Sequence, residues 1–481
     1  MRPSLAVLCL ALASCTFDPA LPTGGPDGNI NRDRDAGMER DAGPDPDRDG
    51  GPVPDAGPGR DAGDFRDGGD PPGNQAPEIA VLDATQFPFD SIVLPAGTDI
   101  DGDTLTYMWR VELPNGATGG FGDWPGTATT STEATPTLHV SVPGDYAVSV
   151  DVSDGELNAT DSATFRVVGF EVITLVNPDE VETLTVDPAD GTLWIGTTGK
   201  GVRRYLPGAM EAEDITCAPQ SKTNAIALLD ETNDVAFGSD SGITIFDGTD
   251  CTPVAATGEK PRGIAPIPGT DNFYLCGDPS VHLFDVAMNR ITDTTDFDVT
   301  APGSKYRGAA YDGAGRFWFG LDENAPEDGV VGSPLPLDDA APRIDLFPDD
   351  NDKVKAIRRA ADAELWIAAD RGVAWIRDTT TATASLRTFV AGTDFDAGFD
   401  GHFRDAAVMP NGDVWFANQR GAARYKRAQD VFVVMPRSGF GLPNDADLRG
   451  AAAWRDTAQN RVVYIGGKPD LYVLRVPGFG P

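Results

Sequence analysis

Residues 191–196 read "GTLWIG", and the segment returns in altered form: "FWFG" at 317–320, "LWIA" at 365–368, "VWFA" at 414–417 and "VYIG" at 463–466. Aligned on the small closing residue, one column reads Trp194, Ala236, Leu275, Trp318, Trp366, Trp415 and Tyr464. The next column reads Ile195, Phe237, Cys276, Phe319, Ile367, Phe416 and Ile465. The spacings are 42, 39, 43, 48, 49 and 49 residues. A period of this length, with several strand-like runs per copy and few helix signals, is that of a β-propeller. A lone four-stranded sheet cannot cover both its faces, but seven in a ring can, each packing its aromatic column on the next.

Each copy carries the same order of strands. An inner run such as "YRGAAYD" or "FRDAAVMP" precedes the aromatic strand. A third run such as "GVAWIRD" follows, and an outer one such as "PRIDLFP" or "VFVVMP" closes the unit. The seventh copy supplies three runs, near Arg449, Val463 and Leu471. Its outer strand is expected from "FEVITLV", residues 170–176, which would close the ring and remove its exposed edges. The "LWIG…GVRRY" pattern resembles the repeats of two-component-regulator propellers and related NHL- and YVTN-like propellers. That resemblance implies the fold and a binding surface, but no particular ligand.

Working outward, the chain of 481 residues is long enough for two or three units. Its formal charge of −37 argues against a nucleic-acid partner and against docking to anionic lipid by a basic patch. It opens with "MRPSLAVLCLALASC", where the apolar run Leu5–Leu12 is too short to span a bilayer and fits a secretory signal. Leu12-Ala13-Ser14-Cys15 resembles the lipobox of bacterial lipoproteins. The resemblance implies a signal over 1–15, a lipidated Cys15 and membrane attachment through acyl chains alone. Thr16 after the cysteine implies the outer membrane, by the sorting rule of such lipoproteins.

Residues 16–73 form the next segment. From Gly24 to Gly73 there are 13 acidic and 6 basic residues and almost no large apolar ones, so nothing offsets the entropy of ordering. A disordered Asp/Gly/Pro-rich linker is expected. Its Asp45–Gly50 run matches the first half of a calcium loop, but Ala56 stands where the bidentate glutamate is needed.

Composition shifts at Asn74. Over 74–168, apolar and polar residues alternate between turn signals, as in an antiparallel sandwich. Period two places Leu105, Tyr107 and Trp109 on one face, and Tyr146, Val148, Val150 and Val152 on another, as core. "NQAP", "DIDGDTLTYMW", "VPGDYAVSVDVSDG" and "ATFRVV" together resemble a PKD or related Ig-like domain. That resemblance implies a spacer or adhesion module. It also brings forward Asn74, Asp99, Asp101 and Asp154 as a calcium set. The alternative is that these residues build a tight turn.

The starts of the inner strands carry Glu182, Asn224, Arg262, Arg307, Lys355, Arg404 and Arg449. Five of these seven are basic in an acidic chain. Arg262, Arg307, Lys355, Arg404 and Arg449 would either hold a carboxylate, sulfate or phosphate in the propeller funnel, or bond the neighbouring blade's carbonyls and staple the ring. Lys200, Arg371, Arg420 and Lys468 are expected in loops on the same face. The three histidines, His139, His282 and His402, lack metal-ligand spacing, and no G-x-S-x-G is present. Cys276 reads as a buried thiol, and Cys217 and Cys251 lie near outer strands of adjacent blades, where a disulfide is open.

The expected architecture is therefore all-β: a disordered N-terminal linker, an Ig-like β-sandwich, and a seven-bladed β-propeller over 169–481. The expected role is a lipid-anchored, non-catalytic binding or scaffolding protein of the outer membrane. It would have a protein or glycan partner, and no cofactor beyond calcium in the sandwich. A propeller lyase or hydrolase acting on a glycan or small molecule, and a purely structural envelope protein, are the alternatives.

Overall fold

The computed structural model describes residues 73–476 apart from short stretches, chiefly between strands. The expected signal over 1–15, Cys15 and the expected linker through residue 72 lie outside the described residues. The described chain is almost entirely β, and none of its helices is long and apolar enough to cross a membrane.

The sandwich has a five-stranded sheet in the order Ala84–Gln86, Asn158–Val167, Gly144–Ser153, Thr106–Glu112, Thr130–Ser131. Its three-stranded sheet runs Asp90–Val93, Thr137–Val140, Gly120–Phe121. The alternation read from the sequence is the one that folds: Trp109, Tyr146, Val148, Val150 and Val152 are buried against Leu138, Val140 and Phe165, while Met108 faces out. The two polar aromatics find partners, as buried ones must. Trp109 Nε1 donates to Glu133 O at 3.0 Å. The Tyr146 hydroxyl donates to Val142 O at 3.0 Å and accepts from the amides of Ser141 and Val142.

Seven four-stranded antiparallel sheets follow, and each is strung inner, second, third, outer. The inner strands of blades 1 to 7 are Val181–Val186, Thr223–Leu228, Gly263–Pro266, Tyr306–Tyr311, Val354–Ala361, Phe403–Val408 and Gly450–Arg455. Each inner strand lies against the next, and the seventh lies against the first, so the ring is closed. Blade 7 takes its outer strand from Glu171–Ile173, which pairs with Leu471–Val473. The segment expected to complete the ring is the one that does.

The aromatic column packs across blade boundaries. Trp194 meets Phe237 of blade 2 at 5.8 Å, Trp366 meets Phe416 of blade 6 at 5.7 Å, and Tyr464 meets Tyr205 of blade 1 at 6.2 Å. Blade 3 differs from the sequence alignment by one residue in both columns. In blade 3 the pairing of Gly263 with Cys276 shows that Cys276 itself occupies the small closing slot. Tyr274, not Leu275, is then the aromatic member, and it meets Phe317 at 4.8 Å. The slot tolerates a thiol because its partner is glycine: a Cβ on Gly263 would approach Cys276 Sγ to 2.7 Å. Cys276 is a buried free thiol, with burial pushing its pKa upward. Cys217 and Cys251 are joined, tying blade 1 to the outer strand of blade 2.

The sandwich docks on blades 6 and 7. Phe87 enters a cluster with Trp415, Met409, Phe170 and Phe440. Asp90 reaches Arg424 at 3.1 Å and Lys426 at 3.4 Å. Trp415 pairs with Ala407, near the end of its inner strand. The docking therefore sits at the end of the blades away from the inner-strand starts.

Candidate functional site

The repeated small residue sets the position of the site. A Cβ on Gly320 would come within 2.2 Å of Val354 Cγ1, and one on Gly466 within 2.2 Å of Val181 Cγ1. Gly196 and Gly238 likewise face Thr223 and Pro261, within 3 Å of an added Cβ. The small slot of one blade thus seats a residue at, or just before, the start of the next inner strand. Phe403 and Leu448 share core clusters with Ala368 and Ala417 in the same relation. The residue after each anchor is then delivered to the mouth of the ring.

Those residues line one cavity of about 250 Å³: Glu182, Asn224, Arg262, Arg307, Lys355, Arg404 and Arg449, joined by Lys222. Every blade contributes, and every lining side chain is polar or charged. The structure brings the seven inner-strand residues together. Lys200, Arg371, Arg420 and Lys468 do not line the cavity, and neither does His402.

Behind the basic residues lies a set of carboxylates that the sequence reading missed. Two positions beyond the small slot stand Thr198, Asp240, Asp278, Asp322, Asp370, Gln419 and Lys468. The amides of Thr198, Asp240, Asp322, Asp370 and Gln419 donate to Glu180, Lys222, Lys305, Lys353 and His402 carbonyls at 2.8–3.3 Å. Those carbonyls belong to the approach to each inner strand, so the bond holds the column beside the lining residue. Asn224 Nδ2 then donates to Asp240 at 3.0 Å, Arg262 pairs with Asp278 at 3.3 Å, and Arg307 with Asp322 at 2.7 Å. Lys355 lies 3.1 Å from both Asp322 and Asp370, linking blades 4 and 5. His402 Nδ1 lies 3.1 Å from Asp370.

The other side of the ring has a second chain of ion pairs. Arg449 meets Glu182 at 2.7 Å, Asp447 at 2.9 Å and Glu180 at 3.1 Å, and Glu182 also pairs with Lys222. Burial would raise the Glu182 carboxyl, but the Lys222 and Arg449 charges and hydrogen bonds outweigh it and hold the group below its ordinary value. Asp370 follows the same balance: burial raises it, and Lys355, His402 and Arg404 bring it down. Burial lowers the Lys355 ammonium, and its two aspartates offset this only in part.

Arg404 stands apart. Its own blade offers Gln419, not a carboxylate, and among the described residues its one ion pair is with Asp370 at 3.8 Å. Its Nε is buried with no hydrogen-bond partner among the described residues. Stapling to a neighbour's carbonyl does occur, but deeper in the ring and by other residues. Arg358 Nε donates to Ala406 O at 3.2 Å, and Thr185 Oγ1 donates to the equivalent Ile226 O at 3.0 Å.

The sandwich set comes together in part. Asn74 Nδ2 donates to Asp154 at 3.2 Å, and Asp101 accepts from the Gln75 amide at 2.7 Å. Asp99 Oδ1 accepts the amides of Asp101 and Asp103 at 3.0 Å, bracing its own turn. Asn74 Oδ1 and Asp99 Oδ2 are buried without a donor among the described residues. Among the described residues, no group of three or more His, Cys, Asp or Glu side chains is placed to hold a metal ion.

No family model matches the chain, and no curated protein matches it. Solved structures do. The extracellular domain of the hybrid two-component system BT3049 from B. thetaiotaomicron is similar with a TM-score of 0.51 at 15% identity, over 68% of this chain and 43% of that one. The extracellular domain of BT4673 from the same organism gives 0.49 at 16% identity, over 64% and 39%. The likeness is one of fold. The chain spans less than half the length of either structure.

Proposed function

We propose that this protein is a lipid-anchored, non-catalytic binding protein of the cell envelope, and that its propeller funnel holds a small anionic ligand. The observation that carries the reading is the convergence of eight polar side chains, from all seven blades, on one cavity, with Arg404 left short of a carboxylate. Buried guanidinium donors without a partner favour a carboxylate, sulfate or phosphate. In this reading residues 1–15 are the lipoprotein signal, Cys15 carries the lipid, 16–73 is the linker, 74–168 is the sandwich and 169–481 is the propeller.

Calorimetric titration of the purified chain with sulfate, phosphate and small organic acids tests the site. Saturable binding that Arg404→Ala weakens tenfold or more is expected. Absence of saturable binding across the panel would overturn it. Labelling with a palmitate analogue tests the anchor: wild type takes label and Cys15→Ser does not, and equal labelling refutes it.

A further inference from the structure

The cavity wall is polarised around the ring, and this narrows the ligand. From blade 3 through blade 6 the wall presents Arg262, Arg307, Lys355 and Arg404, while their counter-carboxylates Asp278, Asp322 and Asp370 do not line the cavity. That arc offers donors only. On blades 1 and 2 the wall presents Glu182 and Asn224 themselves, beside Lys222, which is paired with Glu182. Asn224 spends its amide nitrogen on Asp240 and keeps its amide oxygen as an acceptor.

We propose that the funnel recognises a hydroxy acid of single sugar-acid size, its anionic group on Arg404 and its hydroxyls on Glu182 and Asn224. This rests on the anion-binding reading above and goes further by assigning the second half of the ligand. A hydroxyl suits Glu182 better than an ammonium does, because Lys222 and Arg449 already neutralise that carboxylate. What remains is lone-pair capacity without net charge. The cavity of about 250 Å³ has room for one polar ring. An all-polar lining gives no surface for an apolar ligand.

The experiment titrates glucuronate, glucose, glucosamine and inorganic sulfate into the full chain. Glucuronate is expected to bind at least tenfold tighter than each of the others. Asn224→Ala is expected to weaken glucuronate about fivefold and leave sulfate unchanged, and Glu182→Gln is expected to lower the preference for glucuronate over sulfate. Because Glu182→Gln also takes the carboxylate from Lys222 and one of three from Arg449, its melting temperature is measured alongside, and Asn224→Ala, whose partner Asp240 is partly exposed, decides if that variant fails to fold. Sulfate binding as tightly as glucuronate, or glucuronate binding unaltered by Asn224→Ala, overturns the proposal while leaving anion binding standing. Tighter binding of glucosamine overturns the assignment of hydroxyls to Glu182. No binding by any of the four overturns both readings.

Discussion

Lys355 and Arg404 begin neighbouring inner strands and line the same cavity, yet their surroundings assign them opposite tasks. Lys355 is 7% exposed between Asp322 and Asp370, with Asp322 itself 8% exposed. Removing the Lys355 ammonium leaves Asp322 with Arg307 alone and Asp370 with His402 and the 3.8 Å Arg404 contact, at a cost of up to about 3 kcal/mol. Lys355→Met should lower stability by that order in urea denaturation. Arg404→Ala breaks only a 3.8 Å contact and should change stability by less than about 1 kcal/mol while losing ligand binding. A large stability loss in Arg404→Ala would make Arg404 a brace. The basic residues were legible in the sequence because they recur at one place in each copy. Their counter-ions were not, and the reason is local. Aligning blade 3 on Gly277 instead of Cys276 shifts its register by one and hides Asp278 from a column that otherwise shows Asp240, Asp322 and Asp370. A cysteine in a glycine slot gives no hint of itself until Gly263 is seen opposite it.

The strand is the next unit, and what it needs from its neighbour explains the repeat. Gly320 is small because Val354 of the following blade fills the space above it, and the same seat carries Lys355 to the funnel. Gly320→Val should therefore destabilise by about 2 kcal/mol, the cost of overpacking a filled core. It should also weaken ligand binding without touching a lining residue. Unchanged binding in a folded Gly320→Val protein would show that the seat does not position the site. Closure of blade 7 by Glu171–Ile173 was readable because the last copy is one strand short. The Cys217–Cys251 bond was not, since outer strands spread apart and only the structure shows their Cα atoms 5.6 Å from each other. The chain-entropy model gives a loop of 34 residues an upper value of about 4 kcal/mol. Reduction should lower the melting temperature and should leave ligand affinity within twofold, because the bond lies at the rim. An affinity loss on reduction would place blades 1 and 2 under its control.

At the scale of the whole molecule, two chains of ion pairs cross blade boundaries, one through Arg307, Asp322, Lys355 and Asp370, the other through Lys222, Glu182 and Arg449. Glu182 and Asp370 are both held below their ordinary values of 4.5 and 3.8. A lowered carboxyl contributes stability that is complete above its unfolded value and is lost as pH falls through its folded one. The propeller should thus weaken below about pH 4.5, and Glu182→Gln should flatten that acid limb of the stability profile; an unaltered limb would exclude Glu182 as a source of it. The sandwich adds a separate term on the opposite side of the ring. Arg424 and Lys426 are buried there with Asp413 and with Asp90, which the sandwich supplies, and Arg461 lies 4.6 Å from the Phe87 ring. Without Asp90, Arg424 keeps Asp413 at 2.6 Å, and Lys426 loses its 3.4 Å contact with the sandwich. Asp90→Ala in the full chain should cost about 3 kcal/mol, as breaking a buried pair does. The docking lies at the inner-strand ends away from the cavity, so the same variant should keep ligand affinity unchanged. A propeller truncated to begin at Gly169 should show the same pair of effects, a lower melting temperature with intact binding. Loss of binding in either protein would mean that the sandwich shapes the funnel from below, and the independence of the two faces would be wrong.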